Sequence, residues 1–303
     1  MKSSRLGILA TAFAMALGAT CAFGQGQVIY NSIPNPLPGN LPSIGYEATS
    51  TSQMGDRVQF SAGSGRRLLT VEQTMSSWGC ESGAWFSGDC VTTPGTSFSH
   101  PITLNIYNVG AGNQPGSLIG SVTQTFTIPF RPSADLVNCT GGRWFNGATC
   151  FNGLATRITF NLGGLLVPNE VIYGIAYNTT HYGDALIGAS ACSATPAGCG
   201  YDSLNVAVDA GPPTVGVNPA PDDAYFDTDF APNYCDGGAG GVGVFRLDAG
   251  CWTDFKSVVK FNAANPPANQ NQCKNGGWQT RTRLDGSAFK NQGDCIQYVN
   301  TGK

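Results

Sequence analysis

The chain has 303 residues, of which only 12% are charged, and its formal net charge is −3. This balance excludes the strongly basic composition that nucleic-acid-binding proteins usually have. Glycine and proline are frequent, with 41 and 18 residues, so many turns and few long helices are expected. The aromatic fraction of 10% is sufficient for a folded core.

The first segment in chain order has the features of a secretory signal peptide. Lys2 and Arg5 precede an uncharged run that is rich in Ala and Leu and ends in small residues. We expect residues 1–24 to be removed, so that the mature chain begins at Gln25 and is extracellular. The mature form is then expected to contain no membrane span.

The cysteines predict a set of local disulfides. Removal of the signal peptide takes Cys21 with it and leaves ten cysteines, an even number. An exported chain meets an oxidising environment, where cysteines of this kind form disulfides. The ten fall into five consecutive pairs, which favours pairing between neighbours. The predicted bridges are Cys80–Cys90, Cys139–Cys150, Cys192–Cys199, Cys235–Cys251 and Cys273–Cys295.

Alternation of apolar and polar residues predicts one strand after another. Glycine, proline and asparagine separate these strands, without intervening helical patterns. The fold class expected from this order is all-β, an antiparallel β-sandwich of jelly-roll-like type. The predicted strands include 68–71, 102–107, 118–130, 157–162, 171–177, 203–208, 244–247 and 258–261.

A change in composition predicts two structural parts in the mature chain. Residues 263–271 lack large apolar side chains and are typical of a linker. They separate a β-sandwich domain, residues 25–262, from a small disulfide-closed C-terminal module, residues 272–303. The end of the chain is also basic, with a net charge of +4 after Gly250. A module of this size depends on its disulfide or docks on the body.

Two cysteine loops share the pattern C-x-x-G-x-W-F-x-G, starting at Cys80 and at Cys139. They place Trp85 and Trp144 near predicted bridges, and the C-terminal module places Trp278 near Cys273. Exposed tryptophan rings bind sugar rings by stacking, so these three are candidate ligand-binding residues for a glycan or cell-wall polymer. The alternative is that each ring packs across its own disulfide.

The densest acidic segment contains Asp222, Asp223, Asp227 and Asp229. Close carboxylate oxygens favour calcium, so a structural calcium ion is predicted here, with ordinary solvated acids as the alternative. No other cofactor is expected. Two of these acids could also serve as proton donor and nucleophile in a glycosidase. The two histidines, His100 and His181, stand far apart in the sequence and give little indication of a zinc site.

Two parts of the sequence resemble bacterial secreted proteins. Cys273-Lys-Asn-Gly-Gly-Trp278, followed by Asn291-Gln-Gly-Asp-Cys295, is similar to a C-terminal segment found on many secreted actinobacterial proteins of unassigned function. The body resembles uncharacterised jelly-roll sandwiches of bacterial surface or secreted proteins, chiefly at residues 102–107, 116–120 and 171–178. The resemblance implies export and brings no catalytic residues.

Three functions remain open at the level of sequence. The first is a non-enzymatic extracellular protein that acts in surface interaction or binds a glycan or wall polymer. The second is a secreted, carboxylate-dependent hydrolase of glycosidase type. The third is a structural component of the cell envelope. Nucleic acid is not an expected partner, and the mature form is expected to have no membrane span.

Overall fold

Two antiparallel β-sheets form the body of the protein. The structure is a computed structural model that describes residues 26–47, 49–63, 65–85, 87–177 and 204–303. Its sheets make the all-β sandwich that the sequence predicts. The predicted signal peptide and the Cys192–Cys199 bridge lie outside the described residues.

The larger sheet has seven strands around one central strand, β4 (Arg67–Ser77). One edge of β4 pairs with β9 (Leu154–Leu166). Its other edge pairs first with β15 (Val259–Ala263) and then with β11 (Leu204–Asp209). All of these pairings are antiparallel. The remaining strands of this sheet are β1 (Gln27–Asn31), which pairs with β15, and β2 (Ser43–Gly45) and β14 (Lys256–Ser257), which pair with β11.

The second sheet has six strands in the order β13-β12-β3-β10-β5-β6. Its members are β3 (Thr51–Gln59), β5 (Ser97–Val109), β6 (Pro115–Pro129), β10 (Glu170–Ala176), β12 (Asp223–Thr228) and β13 (Arg246–Ala249). A short ribbon outside both sheets consists of β7 (Trp144–Phe145) and β8 (Cys150–Phe151). Among the described residues, the helical elements are α1 (Gln292–Thr301) and 3-10 helices at Ala111–Asn113, Ala231–Asn233, Gln270–Cys273 and Gly277–Thr280.

The core lies between the inner faces of the two sheets. Successive side chains of a strand point to opposite faces, so every second residue is buried. On β15, Val259 and Phe261 belong to the core while Lys260 and Asn262 alternate with them. Each of the eight strands proposed from the alternation pattern corresponds to a strand of the structure.

The acidic segment at residues 222–229 differs from the expected ion-binding loop. Most of it is β12, a strand inside the second sheet between β13 and β3. Ala224 and Phe226 alternate into the core and impose this conformation. Acids spaced along a strand are held apart, so the segment is an amphipathic strand with acids on its outer face.

The predicted linker is attached more closely to the body than its composition suggests. Strand β15 extends to Ala263, and the backbone N–H of the buried Ala264 donates to the carbonyl O of Arg67 (2.8 Å). The side chain of Thr282 then accepts from the N–H of Asn265 (2.9 Å). Ala263 and Ala264 of the predicted linker are therefore bonded to the larger sheet, and Asn265 is bonded to the C-terminal module.

The C-terminal module has a small core of its own and also contacts the body. The Cys273–Cys295 bridge packs with Phe289, and Asn291 is the N-cap of α1, where its side chain accepts from the N–H of Asp294 (2.9 Å). The module places a turn on the outer face of the larger sheet. There Gly286, with φ of +86°, packs against Leu69, whose Cδ2 would lie 2.7 Å from a Cβ at this position, so the left-handed backbone of the turn favours glycine.

Candidate functional site

Two disulfide loops meet at one end of the sandwich. The Cys80–Cys90 and Cys139–Cys150 bridges are both present, with Cα atoms 5.4 and 5.8 Å apart. The loops that share the tryptophan pattern touch each other: a Cβ on Gly142 would lie 2.4 Å from the Cα of Gly88. The missing Cβ of Gly142 permits this backbone contact. The two similar sequence motifs therefore form one structural unit, which we call the loop end.

The segment 130–138 runs between the two loops and is bonded to both. The N–H of Ala134 donates to the carbonyl O of Cys90 (2.9 Å), and the N–H of Asp135 donates to the carbonyl O of Arg143 (2.9 Å). The side chain of Arg131 is 1% exposed, and its guanidinium donates to the carbonyl O of Gly142. Burial lowers the pKa of Arg131 to about 10, so the guanidinium stays protonated at neutral pH.

The loop end encloses a cavity of about 700 Å³, which we call the loop-end cavity. Its size falls within the range of ligand-binding pockets. Leu136 and Val137 stand at its rim with exposures of 75% and 92%, although apolar side chains of this size are usually buried. Most of the wall is apolar. The apolar lining consists of Pro94, Pro129, Phe130, Pro132, Ala134, Leu136, Val137, Trp144, Phe145 and Leu154.

Asp135 is the one ionisable side chain among the residues that line this cavity. Its Oδ1 accepts from the N–H groups of Val137 (2.9 Å) and Asn138 (2.8 Å), and its Oδ2 accepts from Nδ2 of Asn138 (2.9 Å). The hydrogen bonds from Asn138 are the main cause that lowers the pKa of Asp135. The Asp135 carboxylate stabilises the turn at the cavity rim, and these three hydrogen bonds engage both of its oxygens.

The three candidate tryptophans do not share one surface. Trp144 lines the cavity but is only 7% exposed, and its Nε1 donates to the carbonyl O of Gly153 (2.7 Å). Trp85 lies edge-on to Trp78, with ring centroids 4.7 Å apart. Trp278 is partly buried and packs against the core of the C-terminal module. The structure thus brings Trp85 and Trp144 to the loop end and leaves Trp278 in a different part of the molecule.

The four candidate calcium ligands form two separate pairs. Asp223 and Asp227 are four residues apart on β12, which corresponds to roughly 13 Å along a strand. Asp222 accepts from Oγ1 of Thr253 (2.8 Å), and Asp223 accepts from the N–H of Gly250 (3.1 Å). These bonds fix the start of β12.

At the other end of β12, burial raises the pKa of Asp227, and the charge of the neighbouring Asp229 adds to the rise. Because of the extended strand between them, the structure does not bring all four acids to one calcium ion. Each pair supplies two carboxylates at most.

Asp248 lies in a second polar cluster, beside the Cys235–Cys251 bridge. Its carboxylate accepts from the N–H of Cys235 (3.0 Å) and from Nε1 of Trp252 (2.9 Å). In the described part of the chain, Cys235, Asp248 and Cys251 are the one group of three whose atoms are close enough for a metal ion. The two sulfurs are joined in a disulfide, so they are not available as thiolate ligands.

Arg246 closes this cluster from the other side. Its guanidinium donates to Oδ1 of Asp236 (2.7 Å) and lies 4.0 Å from the ring centre of Tyr234. Asp236 also accepts from the N–H groups of Gly238 and Gly240 (2.9 Å each). The hydrogen bond from Arg246 lowers the pKa of Asp236, whereas burial raises that of Asp248. All these groups hold the glycine-rich loop in place, which is a structural role.

The structure describes one of the two histidines, His100. His100 is buried beside Tyr177, with ring centroids 5.2 Å apart, and its Nδ1 lies 3.0 Å from the carbonyl O of Pro101. His181 lies outside the described residues. His100 is therefore a core side chain at the start of β5.

Most of the wall of the loop-end cavity was missed at the level of sequence. The stretch from Pro129 to Val137 contains two prolines and three large apolar residues at the end of a predicted strand. An apolar run that continues past a strand into a proline-containing segment is the signal that could have indicated a surface site.

None of the described helices is both long and apolar enough to cross a membrane.

Comparison with known proteins does not extend these observations. A scan against protein-family models, a search of curated proteins and a search of solved structures each found no match to this chain.

Proposed function

We propose that this chain is a secreted, non-enzymatic recognition protein that binds an apolar part of an extracellular ligand in the loop-end cavity. The observation that carries the proposal is the cavity itself, about 700 Å³ in volume, with apolar walls and with Leu136 and Val137 exposed at its rim. Burial of apolar surface is the dominant favourable term in most associations of this kind.

The chemistry of the lining supports binding over hydrolysis. General acid–base catalysis needs a titratable side chain that is free to exchange a proton with the substrate. Asp135 is the ionisable residue of the lining, and three hydrogen bonds engage its carboxylate. We therefore expect no release of reducing sugar from purified cell wall by this protein.

Stacking of a wall polymer on Trp85, Trp144 and Trp278 has less support. The indole of Trp144 is buried with its N–H bonded, and Trp278 belongs to the separate C-terminal module. A role as a purely structural envelope component would leave the loop-end cavity without a ligand. The test below separates this alternative from recognition.

The test uses an apolar fluorescent probe, 8-anilinonaphthalene-1-sulfonate, with the intact oxidised protein. We expect saturable binding, because the probe can bury its aromatic rings against the cavity walls. Val137→Asp should weaken this binding at least about tenfold, since it places a charge at the apolar rim. Val137 is 92% exposed, so the substitution should leave the thermal unfolding temperature almost unchanged.

Val91→Asp is the matched control. Val91 is 59% exposed, lies in the same loop region and does not line the cavity. It should bind the probe as the unmodified protein does. Equal binding by Val137→Asp and Val91→Asp would place the probe elsewhere and contradict the proposal.

A further inference from the structure

A second, smaller cavity lies where the C-terminal module rests on the body. It has a volume of about 250 Å³, and we call it the junction pocket. Three of its side chains stand side by side across the larger sheet, because Thr70 on β4 pairs with Asn262 on β15 and with Asn161 on β9. The neighbours Val71, Phe261 and Phe160 are in the core, so this row faces outward.

The module completes the pocket from above. Its turn supplies Asp285, next to Gly286, which lies against Leu69. The carbonyl O of Leu284 lies 3.1 Å from where a Cβ on Gly164 would be, so the turn rests closely on β9. The pocket is thus built from residues of the body and of the module together.

Several polar atoms of the junction pocket have no partner among the described residues. Asn262 donates through Nδ2 to Oγ1 of Thr70 (3.0 Å), and its carbonyl oxygen makes no further bond there. The side-chain amide of Asn161 makes none. Oδ1 of Asp285 accepts from the N–H and Oγ of Ser287 (2.9 and 2.7 Å), which leaves Oδ2. A donor and acceptors therefore converge on one small space.

The hydrogen bonds from Ser287 lower the pKa of Asp285, so this carboxylate is ionised and acts as an acceptor at neutral pH. An amide offers both donors and acceptors, whereas an ionised carboxylate only accepts. Neighbouring hydroxyl groups of a sugar can donate to the Asp285 carboxylate, and they can also donate to the amide oxygens of Asn161 and Asn262 or accept from the amide NH2 of Asn161. Leu69 provides an apolar wall for the C–H face of the ring.

The size of the pocket limits the ligand. About 250 Å³ equals the share of roughly eight waters in the liquid, which is room for a single ring and not for an extended ligand. From this combination we infer that the junction pocket binds one uncharged hexopyranose residue, either free or as part of a glycan. This inference is independent of the proposed function, because it concerns a different site.

The test uses the full oxidised chain and three probes: methyl β-glucopyranoside, methyl β-galactopyranoside and N-acetylglucosamine. Saturation-transfer difference NMR should show binding of at least one probe at millimolar concentration. Asn161→Ala should weaken that binding about tenfold or more, since it removes hydrogen bonds to the ligand. Asn161 is exposed and its side chain has no described partner, so its removal should not unfold the protein.

Thr159→Ala is the matched control, because Thr159 is an exposed residue of β9 two positions away and outside the pocket. It should bind as the unmodified protein does. Val137→Asp at the loop end should also leave sugar binding unchanged. The test of the junction pocket is therefore independent of the test of the loop-end cavity. Absence of binding for all three probes, or unchanged binding by Asn161→Ala, would overturn the inference.

Discussion

Asp56 lies in the core of the sandwich, although it is an acid. It shares the inward face of β3 with Met54 and Val58 and is 2% exposed. Its carboxylate accepts from the N–H of Arg57 (2.7 Å) and from Nδ2 of Asn218 (2.7 Å). Burial is the main cause that raises its pKa from 3.8 to about 8, and the hydrogen bond from the N–H of Arg57 with the charges of Lys256 and Arg57 only partly offsets the rise.

The raised pKa predicts how stability depends on pH. Between about pH 4 and pH 8 the folded protein keeps a proton on Asp56 that the unfolded chain releases. The free energy of unfolding therefore falls as pH rises through this range. Asp56→Asn should remove this contribution, because the amide does not ionise. Thermal unfolding followed from pH 4 to 9 should show a flatter profile for the variant.

Asp254→Asn serves as the control for this experiment, since Asp254 is an exposed acid. It should retain the pH profile of the unmodified protein. A profile for Asp56→Asn that parallels the unmodified protein would show that Asp56 is not the group responsible.

Among the elements, the contact between the two disulfide loops depends on glycine. Gly141 and Gly142 both have φ of +67°, but only a Cβ on Gly142 would collide with the other loop, at Gly88. Gly141→Ala should cost about 1–2 kcal/mol, the price of a left-handed backbone with a side chain. Gly142→Ala should cost roughly 1–3 kcal/mol more, because the loops must move apart.

Chemical denaturation of the oxidised protein measures both values. The two variants share the same backbone strain, so their difference isolates the contact between the loops. Equal free energies of unfolding for Gly141→Ala and Gly142→Ala would mean that the loops can separate at no cost.

The elements that could be predicted from sequence are those with local alternation. The alternation of Val171, Tyr173 and Ile175 clearly predicts β10. The order of the cysteines predicts pairing between neighbours, and four of the predicted disulfides are present in the structure. Strand β3 was missed because Gly55 and Asp56 interrupt its apolar pattern. Helix α1 was missed as well, although Asn291 before it and Gly302 after it are capping signals.

The sites could be predicted only in part, because they depend on long-range packing. The motif placed Trp85 and Trp144 near disulfides, but the contact of Gly88 with Gly142 joins loops from different connections. The row of Asn161, Thr70 and Asn262 comes from three strands that are far apart in sequence. Local spacing contains no information about which strands become neighbours.

In the whole molecule, the connection between body and module should resist proteases. Ala263 and Ala264 are buried, and Asn265 is bonded to Thr282. Limited digestion with proteinase K should therefore spare residues 263–265, although their composition is typical of a linker. Mass spectrometry of the first fragments tests this, and early cleavage at Ala263 or Ala264 would contradict the described attachment.

The described disulfides also bear on how the protein is made. Each joins a cysteine to the next one along the chain, with 10, 11, 16 or 22 positions between partners. The chain emerges from the ribosome with its N-terminus first, so the second thiol of each described pair is the next cysteine to appear after its partner. Thiols that are oxidised in order of emergence thus reach their native partners directly, with no need for slow reshuffling.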